Sequence, residues 1–181
     1  MFMRYFDVFS EEYFPLAFNF KSVDDENSDF FNNFLVQNAL IDQRQGYGTT
    51  HIFLEVDEKD SKNKRILGFF TLRCSSLIIR SEGFRKIGEP ALEIAVFAVH
   101  KDYRGMGIGT VMMQEIFAQA IKLKEKHIGI KYLVLCSVKE SMGFYEKFEF
   151  KQITGNELIP NEIRNLECIP MSVRLPEDIN I

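Results

Sequence analysis

The chain has 181 residues, of which 46% are hydrophobic, and a formal net charge of −4; it is long enough to bury the core of one domain, and its charge argues against a polyanion-holding module. With 18 phenylalanines and no tryptophan, its aromatic content reads as core filling, Phe30, Phe31, Phe34, Phe69 and Phe70 included, rather than as a stacking platform for bases. The opening MFMRYFDVFSEEYF carries acidic residues in its first turns and no apolar run of signal-peptide or membrane-span length, so a soluble, cytoplasmic, single domain over 1–181 is expected.

In chain order, the first strand is predicted over Leu16–Lys21. Ser28 is expected to cap a helix whose apolar face is Phe31, Phe34, Leu35 and Ile41 and which Gly46 and Gly48 end. The acidic clusters Glu11-Glu12 and Asp24-Asp25-Glu26 read as solvated loops. His51–Val56 and Arg65–Cys74 are predicted to pair as strands across the charged turn EKDSKNK, and Leu77-Ile78-Ile79 to run into a loop over Arg80–Pro90.

The most informative stretch follows, ALEIAVFAVHKDYRGMGIGTVMM, from Ala91 to Met113. Ala91–Val99 is almost wholly apolar with one carboxylate, Glu93, as expected of a strand covered on both faces. Gly105, Gly107 and Gly109 then allow a tight turn whose bare N–H groups face outward. Ile108, Met112, Ile116, Ala120 and Leu123 recur at helical spacing, and Val111, Phe117 and Ile121 widen the stripe. A strand, a glycine turn and a helix N-terminus in immediate succession form an anion cradle, and a phosphorylated cofactor is its natural occupant. No lysine follows the last glycine, so this is not a Walker loop, and its G-x-G-x-G spacing is not the dinucleotide fingerprint.

Downstream, a strand over Tyr132–Ser137, a short helix near Ser141–Lys147, and strands at Phe150–Thr154 and Cys168–Leu175 complete the pattern. Lys122, Lys124 and Lys126 complement the carbonyl end of the long helix and need no nucleic acid to explain them. Cys74, Cys136 and Cys168 are odd in number and widely separated within apolar strands, which predicts reduced thiols. They share no metal-ligand spacing with His51, His100 or His127, so no metal is expected.

Arg104, Gly107 and Gly109 resemble the R-x-x-G-x-G pyrophosphate loop of the GNAT acyltransferase superfamily, and Phe144-Tyr145-Glu146-Lys147 resembles the start of its F-Y-x-x-x-G-F signature. The resemblance is good over Ala91–Phe150 and weaker over Leu16–Leu175. It implies an α/β (α+β) mixed sheet flanked by helices and splayed beside the central strand, with acetyl-coenzyme A in the opening. It further implies an acetyl-coenzyme A dependent N-acetyltransferase acting on a primary amine of a small molecule, peptide or protein. Cofactor contacts would come from Phe97, Ala98 and Val99 as an added strand edge, from Arg104, Gly105, Met106, Gly107, Ile108, Gly109 and Thr110 around the pyrophosphate, and from Ser141, whose alternative role is to cap its helix.

Tyr145 takes the family's general-acid position, since a neutral phenol can protonate a departing thiolate; packing in the core is the alternative. Glu93 is the candidate base, against a hydrogen-bonding role or a water chain in its place. Two positions depart from the family pattern: Glu149 replaces the usual glycine and Val138 a common asparagine, which bears on pantetheine contacts near that helix. NFLVQNALIDQRQGYGTTHIFLEV with ILGFFTLRCSSLII is also similar to the GNAT toxins that acetylate aminoacyl-tRNA, although these tend to be basic. A non-catalytic acyl-coenzyme A sensor is the third reading, and Tyr145 argues against it. The partners expected are thus an amine-bearing acceptor, with tRNA as the one nucleic acid retained, no membrane, and a homodimer as the candidate assembly.

Overall fold

The computed structural model describes residues 1–22, 30–31, 33–80, 86–154, 157–158 and 168–177; Ser28 and the Asp24-Asp25-Glu26 cluster lie outside them. Its strands are β1 (Phe2–Val8), β2 (Thr49–Asp57), β3 (Asp60–Arg80), β4 (Lys86–Val99), β5 (Tyr132–Val138), β6 (Lys151–Gln152), β7 (Glu157–Leu158) and β8 (Cys168–Arg174). Its helices are α1 (Phe14–Ala17), α2 (Ala39–Gln45), α3 (Ile108–Lys126) and α4 (Met142–Glu146). Strand order is β1-β2-β3-β4-β5-β8-β6, with β7 on β3. The sheet is mixed, as expected: β4 pairs β5 in parallel, while β1–β2, β2–β3, β5–β8 and β6–β8 are antiparallel. None of the helices among the described residues is long and apolar enough to cross a membrane.

Two compact units divide the chain, Met1–Arg73 with Ala95–Ile116, and Cys74–Ile94 with Phe117–Ile181. In the first, β1 and β2 pair from Phe2↔Asp57 to Val8↔His51, and β2 continues onto β3. Its core gathers Phe9, Phe20, Phe34, Leu35, Ile52, Leu54 and Phe69 with Val96 and Ala98. Phe69 is central, meeting Phe20 edge-on at 5.2 Å and stacking on Phe34 at 6.1 Å. Beside it Gly68 leaves no room for a side chain, because a Cβ there would stand 2.5 Å from the Met112 sulfur and 2.8 Å from the Ala98 carbonyl oxygen. Helix α3 is thereby seated directly on β3 and β4.

The expected strand at Leu16–Lys21 is instead the short helix α1 and the turn after it. Pro15 lies in the first turn of α1, where its fixed φ and missing N–H suit a helix start. The strand comes earlier, at Phe2–Val8. A π-turn over Phe34–Asn38 runs into α2, which Gly46 ends in the left-handed conformation at φ 76°. Phe34 and Leu35 are buried as expected, but Ile41 and Phe30 are exposed. The turn between β2 and β3 is shorter than EKDSKNK, since β3 begins at Asp60; the loop expected over Arg80–Pro90 is strand at Arg80 and at Lys86–Pro90, and 81–85 lie outside the described residues.

In the second unit, Leu77, Ala91, Val134 and Ile153 form a core with Tyr132 against it. Strand β5 pairs β8 from Tyr132↔Arg174 to Val138↔Cys168, β6 adds Lys151↔Ser172, and β7 pairs β3 at Ile78↔Leu158. The late strand expected over Phe150–Thr154 is two residues long. The thiol expectation is also corrected: Cys136 and Cys168, on adjacent strands with Cα atoms 5.6 Å apart, are joined as a disulfide, and Cys74 is the free, exposed cysteine. Cys136 faces outward from β5. Apolar neighbours in sequence did not make it a core thiol, because alternate residues of a strand face opposite ways.

Candidate functional site

Every residue from Ala91 to Val99 is buried or half-buried, as a strand covered on both faces requires. Pairing of β4 with β5 covers Ala91↔Tyr132 to Ile94↔Leu135 and ends there, although both strands continue. Phe97 and Val99 are half-buried and Ala98 is buried at this end of β4.

In the first unit, His100 follows β4 and caps a short 3-10 turn over Lys101–Tyr103, its Nδ1 accepting from the Asp102 N–H at 3.3 Å. Gly105 and Gly107 then take φ values of 74° and 79°, a left-handed conformation that costs an L-residue about 1–2 kcal/mol. The space around both is open, with nothing within 4 Å of a notional Cβ. The Gly107 carbonyl accepts the Val111 N–H at 3.1 Å, so Gly107 stands at the helix boundary and α3 begins at Ile108. Ile108 is buried and anchors the turn, while Arg104, Gly105, Met106, Gly107 and Thr110 are exposed and Gly109 is half-buried.

The first N–H groups of such a helix lack intrahelical partners, and no acidic residue stands in the first turn of α3 to neutralise its positive end. Such an arrangement suits an anion, and the exposed Arg104 precedes it in the chain. Behind the loop, Met112, Met113, Ile116 and Ala120 are fully buried. Met113 was missing from the expected stripe, and Val111, placed in it, is exposed. The 19-residue helix is otherwise covered along the expected stripe, with Ile108, Met112, Ile116 and Ala120 buried and Phe117, Ile121 and Leu123 half-buried.

The second unit holds Glu93 and Tyr145. Glu93 is buried on β4 opposite Val134 of β5. Tyr145 lies in α4, 8% exposed, with its ring edge-on to Phe144 at 5.1 Å and to Phe150 at 6.0 Å. Burial pushes its phenol well above the ordinary tyrosine range; the hydroxyl therefore stays protonated throughout physiological pH, the state in which it can donate. Ser141 is half-buried at the N-cap of α4 but makes no side-chain capping bond, which removes the capping role offered as its alternative. Val138 is exposed at the end of β5.

The turn after Tyr145 explains the signature motif. Phe150 N–H donates to the Tyr145 carbonyl at 3.3 Å, Glu149 N–H donates to the Glu146 carbonyl at 3.0 Å, and Glu149 has φ 65°. Two such bonds around one left-handed residue form a Schellman cap, in which the residue after the cap packs back on the last turn. Here that contact is Phe150 against Tyr145. Glu149, at the glycine position of F-Y-x-x-x-G-F, is thus the left-handed residue of this turn, and Phe150 packs against the tyrosine ring. Glu149 keeps this backbone without being glycine, so the departure leaves the turn intact. The sequence carried this signal in the spacing from Tyr145 to Phe150, read only as a motif and not as a cap.

The family model for the acetyltransferase (GNAT) domain matches residues 48–152. Among solved structures, a tyrosine-to-phenylalanine mutant of the AtaT toxin is similar at 14% identity and a TM-score of 0.72, over 95% of this chain and 89% of that one. The AtaTR complex bound with acetyl-coenzyme A is similar at 16% identity and 0.69, over 95% and 93%. AtaT complexed with acetyl-methionyl-tRNAfMet is similar at 15% identity and 0.68, over 87% and 94%.

Proposed function

Because the chain belongs to the GNAT acetyltransferase domain family, we propose that its acetyl acceptor is the α-amine of an aminoacyl-tRNA. One observation supports this acceptor above others: the likeness to the AtaT structures covers 95% of the chain, including the N-terminal segment that precedes the family match at residue 48.

In this reading the backbone N–H groups from Gly105 to Thr110 and the Arg104 side chain hold the pyrophosphate of acetyl-coenzyme A, and the main chain of Phe97, Ala98 and Val99 receives the pantetheine arm as an added strand. Ser141 contacts the same arm. The acceptor amine, once neutral, attacks the thioester carbonyl, a C–N bond forms, and the C–S bond breaks. Tyr145 donates its proton to the departing thiolate. The proton lost from the nitrogen passes to Glu93, directly or through water.

A second reading, with a small or peptidic amine as acceptor, is supported by the net charge of −4, since tRNA binding draws chiefly on cationic side chains. The test is acetyl-coenzyme A consumption with charged tRNA and with free amines over a salt series. The tRNA reading predicts acetylated aminoacyl-tRNA and an affinity that falls steeply with salt; turnover of free amines with a shallow salt response and inert tRNA would overturn it.

A further inference from the structure

We infer that Arg65 is a positioning residue for the pyrophosphate loop, holding Tyr103 immediately before Arg104. The inference rests on the reading of that loop as the acetyl-coenzyme A site. All its parts lie in the first unit. Glu55 of β2 is 3% exposed and binds two guanidiniums, accepting from Arg4 Nε at 2.8 Å and from Arg65 Nε at 2.6 Å. Burial alone would raise its carboxyl, but the two arginine hydrogen bonds outweigh that and hold it below the usual range. The carboxylate is therefore a fixed anchor, and it sets the plane of Arg65.

From that anchor the Arg65 guanidinium lies 5.1 Å from the Phe2 ring centre and 5.4 Å from that of Tyr103. An arginine over an aromatic face gains both charge–quadrupole attraction and stacking, which lysine reproduces poorly. Tyr103 is bound to the loop on its other sides as well. Its N–H donates to the His100 carbonyl at 3.0 Å, its carbonyl accepts from the Met106 N–H at 3.4 Å, and its ring meets His100 at 5.4 Å. Holding the ring therefore holds the backbone that enters Gly105 and Gly107. Arg4 shares the Glu55 anchor, and among the described residues the guanidinium over the Tyr103 ring is that of Arg65 and not of Arg4, so the two arginines separate loop positioning from stability.

The experiment compares Arg65→Met, Arg65→Lys, Tyr103→Leu and the double variant Arg65→Met/Tyr103→Leu with Arg4→Met. It uses calorimetric affinity for coenzyme A, KM and kcat, and thermal midpoints. We expect Arg65→Met to weaken coenzyme A binding and raise its KM by about threefold to tenfold, with kcat at saturation within about twofold. Arg65→Lys should recover only part of this, and the double variant should bind no worse than Tyr103→Leu alone, as one shared contact requires. Arg4→Met should lower the thermal midpoint as much as Arg65→Met yet leave coenzyme A affinity unchanged. If Arg65→Met and Arg4→Met lose stability alike and both bind normally, Arg65 is merely structural and the inference fails. Should the parent protein itself fail to bind coenzyme A, the reading of the loop falls and the inference falls with it.

Discussion

The turn that opens α3 and the turn that closes α4 both need a left-handed residue, and they meet the need differently. At the first, Gly105 and Gly107 stand at φ 74° and 79° with open space around them; at the second, Glu149 stands at φ 65°. A left-handed L-residue costs about 1–2 kcal/mol whichever turn it occupies. The second turn tolerates that cost because conformation is all it requires, with Phe150 and Tyr145 supplying the packing. The first has a further requirement in our reading: its backbone must come within hydrogen-bond distance of a pyrophosphate, and any side chain facing the ligand would hold it away. Glycine is dispensable where the chain only turns. It is not where the chain must also be approached.

The sharpest way to break this contrast is Gly107→Val. We expect the protein to fold, with about 1–2 kcal/mol lost to the left-handed β-branched residue, and coenzyme A binding to disappear from calorimetry. A folded variant that binds normally would show that Gly107 serves the turn alone, like Glu149.

Tyr145→Phe comes next in size and tests whether the α4 turn holds a reacting group. It keeps the ring contact with Phe150 and removes only the proton donor, so turnover should fall by about 10²–10⁴-fold with cofactor affinity near normal. Burial raises the phenol, and a raised acid keeps its proton as pH climbs. The rate of the parent should therefore not decline on account of Tyr145 as pH passes through the ordinary tyrosine range. In the companion variant Glu93→Gln, activity relative to parent should recover as pH approaches the amine's own pKa; a flat ratio would take Glu93 out of the mechanism. Unchanged turnover in Tyr145→Phe would leave the ring as packing.

Glu149→Gly has the smallest expected effect and sharpens the comparison from the other side. Relief of the left-handed strain outweighs glycine's greater unfolded-state entropy, for a net gain of about 0.5–1 kcal/mol and a thermal midpoint higher by about 2 °C. Glu149→Ala, still an L-residue at the same φ, should leave stability nearly unchanged. A gain from alanine equal to that from glycine would locate the cost in the glutamate side chain rather than in the backbone.

These turns also mark how far the site could be read from the chain. The cradle was legible because its causes are local: glycines where φ must be positive, an apolar strand before them and a helical stripe after. The role of Glu149 was half legible. Its position in the motif identified the missing glycine, but only the φ angle and the pair of hydrogen bonds identified what the residue there does in this chain. The Arg65–Tyr103 contact had no sequence signal, since 38 positions separate the two residues and neither belongs to the motif.

By itself, the sequence of this protein determined the order strand, glycine turn, long helix, strand, short helix, and with it the loop and the tyrosine, because backbone preference and hydrophobic period act over a few neighbouring residues. The tertiary structure decided which of those residues are covered. Val111 and Ile41 fall on helical apolar faces yet are exposed, Met113 is fully buried, and Glu55 becomes the anchor of two arginines. Cys136 finds Cys168 across β5 and β8. Each of these outcomes depends on which distant segment packs alongside, and burial and pairing between distant segments leave no periodic trace in either one alone.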